Sequence, residues 1–306
     1  MSDMILHHYE LSPYSEKLRA MFGYLDMSWQ SVITEPMPPR KKLYPLAGGY
    51  RKIPVAQIGA DVYCDTRTIT EQIAAMNQKP ELFIHSCKAD VKQIIDEVEG
   101  EFFFASVMYS SSSKLNKKVL QNMSVFGLIK LFIDRINMSR KANIKMVTPG
   151  KAGPIVKEFL PRFEAMLNSD FLFGDQPNIA DFSAYHSLWF IHVLGEKPIM
   201  NQYPKTVAWL EKIKSFGHGV RQEISADDAL NIARSQQPKD IIEEHQQHDL
   251  MDELVDIAPD DYALTPSTGV LKGCTDTSYI IARESKETGL VHVHFPKTGF
   301  AITPSR

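Results

Sequence analysis

Apolar and polar positions follow three rhythms along this chain, and the rhythm changes twice. Over the first 80 residues, short apolar runs are broken by turns. Residues 4–9, Met-Ile-Leu-His-His-Tyr, predict a strand. Leu11-Ser12-Pro13 predicts a turn into a helix: Ser12 suits the N-cap, Pro13 the first helical position, and Glu16 the positive end of the helix dipole. Leu18, Met21, Phe22 and Leu25 then recur at helical spacing. Residues 29–33 predict a second strand, and the prolines and glycines between Thr34 and Tyr50 predict mostly loop. Residues 53–58 and 61–64 predict a hairpin around Gly59-Ala60, after which Asp65-Thr66 caps a helix to about Met76.

After Lys79-Pro80 the spacing turns helical, from Lys88 to about Gly217. Ser110 to Ser113 is a polar break that reads as a helix end or loop. Asn178 suits an N-cap, with Asp181 three places later as an acidic form of the capping box; Ala180, Ala184 and Leu188 line one side of that helix. A third region opens near Ser225. Residues 227–248 are polar and acidic, and read as helix or linker. From Thr265 onward, short strands are expected at 269–273, 279–283, 290–295 and 299–302. No internal repeat is visible. The expected plan is an α/β unit over 1–80, an all-α bundle over 88–224, and an acidic linker with a small, mostly β extension over 225–306.

Composition narrows the function classes. A chain of 306 residues with 43% hydrophobic and 23% charged residues is an ordinary globular composition, long enough for about two domains and an appendage. Formal net charge is −3, so no global basic excess points to nucleic acid or an anionic membrane. The greasiest stretch, residues 126–136, is short and contains Lys130, Asp134 and Arg135, so no spanning helix is expected. The opening residues have neither a basic start nor a long apolar core, and do not read as a signal peptide. Cys64, Cys87 and Cys274 lack CxxC spacing, which argues against a disulfide framework or a zinc site and fits reduced thiols in a cytoplasmic protein. Charge is uneven: residues 225–306 hold 14 acidic and 7 basic residues, and residues 1–224 hold 23 and 27.

Three motifs carry a family resemblance. The first is Ser12-Pro13-Tyr14-Ser15-Glu16 after a first strand. The second is Lys52-Ile53-Pro54-Val55 followed by Asp65-Thr66. The third runs from Gly174 to Asp181. In this order and spacing, over about 220 residues, the chain resembles the glutathione transferase superfamily, which joins a thioredoxin-like domain to an all-helical domain. The region from about 255 resembles a C-terminal extension of some bacterial members, to which no function attaches. The resemblance implies glutathione as co-substrate, a small hydrophobic electrophile as acceptor, detoxification chemistry, a homodimer and no metal. His292 and His294 alternate on one strand but show no third ligand nearby, so a surface or interface role is expected.

The chemistry implied is thiol activation. A free thiol has a pKa of about 8.5, and each unit of lowering takes about 1.4 kcal/mol of differential stabilisation. One hydrogen bond to a charged acceptor, about 1.5–3 kcal/mol, supplies one or two units. Ser12 before a helix offers a hydroxyl and the helix dipole together; Tyr9, at the end of the first strand, is the alternative donor. With serine at both 12 and 15, dithiol exchange and thiol-based reductase chemistry are not expected. The resemblance further implies a cis Pro54, with the backbone of Ile53 pairing with the cysteinyl part of glutathione. Thr66 would hold the γ-glutamyl carboxylate and Asp65 its α-amino group. Lys52, or less directly Arg40, Lys41 or Lys42, would meet the glycyl carboxylate. Phe102, Phe103, Tyr109 and Phe126 are candidates for the acceptor wall. The superfamily also holds regulatory members without turnover, so a non-catalytic scaffold is the competing expectation.

Overall fold

Local rules account for most of the first region. Strand β1 (Met4–His8) is wholly buried, and helix α1 (Pro13–Tyr24) follows with Ser12 as its N-cap. The chain continues through β2 (Ser28–Ile33), the single-turn helix α2 (Tyr44–Ala47), the hairpin β3 (Val55–Ile58) and β4 (Asp61–Cys64), and α3 (Thr66–Asn77). The short α2 interrupts the segment expected to be loop. The computed structural model describes residues 3–122, 124–143 and 147–305. Met1, Ser2 and Arg306, at the ends of the anticipated ranges, lie outside the described residues.

The helical region comprises α4 (Ala89–Glu99), α5 (Glu101–Tyr109), α6 (Ser113–Asn122), α7 (Val125–Arg140), α8 (Pro149–Met166), α9 (Ile179–Trp189) and α10 (Pro204–Ser215). At its centre lies α9, every residue of which is buried. The capping box forms as the spacing predicts, with Asn178 and Asp181 satisfying each other's backbone N–H groups. Asp181 Oδ1 also accepts from Leu172 N (2.9 Å) and Trp209 Nε1 (2.9 Å), which fixes the preceding loop and α10 on this helix start. One apolar core joins the α1 and α3 face of the sheet to the bundle.

The third region differs most from expectation. Helix α11 (Ala226–Ser235) occupies the helix-or-linker segment, with a Ser225–Asp228 capping box. Six strands surround or follow it: β5 (Val220–Glu223), β6 (Leu254–Pro259), β7 (Ser267–Cys274), β8 (Ser278–Ser285), β9 (Gly289–Pro296) and β10 (Phe300–Pro304), of which β5 and β6 were not anticipated. Val255 and Ile257 of β6 point inward and their neighbours outward, the period-2 signature of a half-buried strand, obscured by Asp256 and Pro259. These strands do not form a sheet of their own. A single ten-stranded sheet runs β10-β6-β7-β8-β9-β4-β3-β1-β2-β5. The seam is β4 against β9, parallel, pairing Asp61 with His292, Val62 with Val293 and Tyr63 with His294. A shared core of Val55, Val62, Leu271, Ile281, Val293 and Phe295 spans it.

Candidate active site

Register brings three predicted segments to one end of the sheet. Val55 of β3 faces both His7 of β1 and Cys64 of β4. The residues after β1 (Tyr9 to Ser12), before β3 (Lys52 to Pro54) and after β4 (Asp65, Thr66) therefore emerge side by side. The Ile53–Pro54 peptide is cis, as the resemblance implies.

Ser12 closes the first turn. Its backbone N–H donates to Tyr9 O (3.1 Å), and its Oγ accepts from Ser15 N (3.2 Å) as the cap of α1. A hydroxyl that accepts in this way keeps its own O–H to donate. Ser12 is only 1% exposed. Ser15 is buried as well, and its Oγ has no hydrogen-bond partner among the described residues. Tyr9 is half-buried and packs against the core shared with the extension.

Asp65 caps α3, accepting from Arg67 N (3.1 Å). Its backbone sits at φ 77°, a conformation costly for a residue with a Cβ and common at ligand-holding turns. The next residue, Thr66, is buried. Arg67 ties this turn to the bundle, 3.8 Å from Glu99 and 3.9 Å from Asp96. Glu99 is also held by the buried Lys17 of α1 (2.6 Å). Burial pushes the Glu99 carboxyl upward, but Lys17 and Arg67 outweigh it and hold its pKa at about 2. The same anionic carboxylate thus locks both helix starts of the site to the helical wall. Cys64 is fully buried, and burial raises its pKa well above the ordinary range, so the cysteine beside the site stays a thiol and is no nucleophile.

Of the predicted cations, Lys52 alone faces this site with its charge. Its ammonium lies 2.8 and 2.9 Å from the two oxygens of Asp261, and 4.2 Å from the centre of the Tyr262 ring. Burial acts to lower the Lys52 pKa, but Tyr262, Asp65 and Asp261 raise it, so the charge is secure. Arg40 is buried for another purpose. It donates to the carbonyls of Glu35 (2.7 Å), Arg51 (2.7 Å) and Pro36 (2.9 Å), and stitches the loop before β3. Lys42 pairs with Asp227 at the surface, and Lys41 is exposed.

Asp261 and Tyr262 are the residues sequence reasoning missed. They sit in the loop between β6 and β7, roughly 200 positions from the site they enter. Tyr262 lies beside Tyr14, with its ring 5.6 Å from Phe104 of α5. Backbone carbonyls of Asp260 and Asp261 accept from Asn143 (2.9 and 2.7 Å), beyond α7. At the other side, Ser267 Oγ accepts from Tyr50 N and donates to Ala47 O. The loop therefore bridges the sheet end and the helical wall, directly over the predicted ligand cleft. Its only sequence signal is Asp260-Asp261-Tyr262 between Pro259 and Pro266, a polar loop with one aromatic.

The acceptor-wall candidates separate. Phe103 reaches the site, 4.7 Å from Tyr14. Phe102 stacks on Phe159 in the bundle core, Tyr109 packs beside Lys197, and Phe126 is exposed on α7. His294 pairs with Asp61 across the β4–β9 seam (2.9 Å), so its role is at an interface within the chain. Among the described residues, no group of three or more His, Cys, Asp or Glu side chains is arranged to hold a metal ion. No helix there is long and apolar enough to cross a membrane.

Comparison with known proteins agrees with this architecture. A family model described as the glutathione S-transferase N-terminal domain matches residues 6–80, and one described as its C-terminal domain matches residues 140–216. The chain belongs to the glutathione transferase superfamily. A GST-like protein from Pseudomonas syringae is 29% identical, with all of both chains covered and a TM-score of 0.79; the likeness includes the C-terminal extension. FzlA from C. crescentus is 20% identical over 70% of this chain and 88% of its own, with a TM-score of 0.49. A glutathione transferase homologue from Drosophila mojavensis, with bound glutathione, is 16% identical over 70% and 88%, with a TM-score of 0.45. No curated protein matches the chain.

Proposed function

We propose that this member of the superfamily binds glutathione at the sheet end and conjugates its thiolate to small hydrophobic electrophiles, as a cytoplasmic homodimer. The observation that carries the reading is the convergence of Ser12, cis Pro54 and the Asp65–Thr66 turn at one end of the sheet, at the starts of α1 and α3. In this reading the Ser12 hydroxyl, already oriented by accepting from Ser15 N, donates to the thiolate. The start of α1 adds positive potential. The thiolate sulfur attacks the electrophilic carbon, a C–S bond forms, and the leaving group departs with its electron pair. Lys52 would take the glycyl carboxylate, and Phe103 and Tyr14 would line the acceptor side. The protein contributes position and charge stabilisation.

One observation favours a second reading, a regulatory binding protein without turnover. Asp261 already sits on Lys52 as an internal carboxylate, and Tyr262 fills the space beside Tyr14. Calorimetric titration with glutathione, together with thiolate absorbance against pH, separates the two. The transferase reading expects binding and a bound thiol lowered by about one or two pKa units, lost in Ser12→Ala. An unshifted thiol, or an equal shift in Ser12→Ala, removes Ser12 as activator and turns attention to Tyr9. Absence of binding supports the regulatory reading.

A further inference from the structure

Helix α7 carries an apolar stripe that nothing among the described residues covers. Val125, Phe126, Ile129, Phe132, Ile133 and Ile136 recur at three- and four-residue spacing, and each is between 49% and 65% exposed. No residue of α7 is buried. The opposite side holds the helix to the body: Asp134 pairs with Arg51 (2.5 Å), and Arg135 donates to Pro36 O (3.3 Å). That attachment fixes the apolar stripe outward. An exposed patch of six large apolar side chains is unusual on a protein surface and marks a contact site.

Charge identifies the occupant. From Ser113 to Asn143 the sequence has seven basic residues and one acidic residue, Asp134, in a chain whose net charge is −3; of the seven, Lys114 and Lys118 pair with Glu196. Asp134 is itself neutralised by Arg51. Lys117, Lys130, Arg140 and Lys141 are exposed. On a helical projection Lys130 flanks the stripe and Arg140 closes its C-terminal end. The Lys130 ammonium lies 4.5 Å over the Phe126 ring, folded onto the apolar surface it borders. A second copy of the chain, paired across a twofold axis on this face, would bring a second set of the same cations to the contact and no carboxylate beyond the already paired Asp134 of α7. An anionic bilayer meets both properties at once. Its acyl boundary accepts the phenylalanines and isoleucines, and its headgroups accept cations that reach outward on long stems. At 16 residues the helix is about 24 Å long, fit to lie in the interface and too short to span.

We infer that α7 docks this protein reversibly on anionic lipid surfaces, with its axis in the plane of the membrane. The test is flotation of the full chain with vesicles of phosphatidylcholine alone, and with vesicles in which part of it is replaced by phosphatidylglycerol. The chain is expected to float with the anionic vesicles only, and to be released by salt. Phe132→Glu with Ile133→Glu, and separately Lys130→Glu with Arg140→Glu, should each weaken binding on the order of tenfold or more. These positions are exposed, and an unchanged circular dichroism spectrum confirms the fold of each variant. No flotation, or equal flotation with both vesicle types, overturns the inference. So does an apolar variant that splits a dimer in light scattering while vesicle binding is unaltered, which would assign the stripe to a second copy.

Discussion

Two of the places where the extension meets the body are built differently. At the β4–β9 seam, backbone pairs with backbone, Val293 is fully buried, and Asp61 accepts from His294 Nε2 and Lys239 N, both at 2.9 Å. Over the cleft, the loop after β6 is held mainly by side chains: Lys52 on Asp261, the Tyr262 ring against its neighbours, and two hydrogen bonds from Asn143. The seam cannot open without breaking the sheet and a shared core. The loop depends instead on one partly exposed ion pair, the ring contacts of Tyr262 and the hydrogen bonds from Asn143. The first attachment makes the extension part of the fold, while the second sets it against Lys52 at the proposed ligand site.

The seam should be the harder to damage without unfolding. Val293→Asp places a carboxylate in the shared core with no partner, and should cost about 4 kcal/mol or more in denaturant unfolding. The expected trace is one transition, with the extension and the first sheet lost together. Two separated transitions would show that the seam couples them no better than the loop does. A smaller effect is expected at Asp61. Burial pushes its carboxyl upward, but the hydrogen bond and charge of His294 and the Lys239 N–H hold it below the usual carboxylate range. A pKa lowered in the folded state gives stability that is complete above the unfolded value, about 3.9, and lost as pH falls through the folded value. Asp61→Asn should remove about 1–3 kcal/mol at neutral pH and flatten the acid limb of the stability curve below about pH 4. A variant with an unchanged acid limb would mean that other carboxylates dominate there.

What could be read from the residues follows the same division. Ser12 before Pro13, the Asn178 and Asp181 pair, and the hairpin around Gly59-Ala60 are local rules, and each appears where its spacing predicts. Pairing of Val62 with Val293 is not local: 231 positions separate them, and a parallel join leaves no turn signal. The alternation of His292 and His294 was visible, yet nothing in it names β4 as the neighbour. Charge misleads for a similar reason. A net of −3 over the whole chain conceals the cationic segment that surrounds α7, because acidic residues elsewhere cancel it. The turns proposed to hold the ligand were legible as motifs. Their occupation by Asp261 and Tyr262 was not, since those residues belong to a loop that only the sheet topology carries to the cleft.

The loop itself gives the smallest change in stability and the most direct readout of the second attachment. The Lys52–Asp261 pair is 15% and 30% exposed at its side chains, so water already screens it. Asp261→Ala should cost no more than about 1 kcal/mol in unfolding. Freed from its internal carboxylate, Lys52 becomes available to an external one. If the closed loop competes with glutathione for that ammonium, the apparent affinity should rise by the factor that closure withholds, about fivefold for 1 kcal/mol. Adding Tyr262→Ala should raise it further, because the ring also occupies the cleft. Isothermal titration of the wild type, the single variant and the double variant against glutathione measures both steps. A fall in affinity would reverse the assignment, making Asp261 and Tyr262 part of the binding wall and the loop a lid that the ligand recruits.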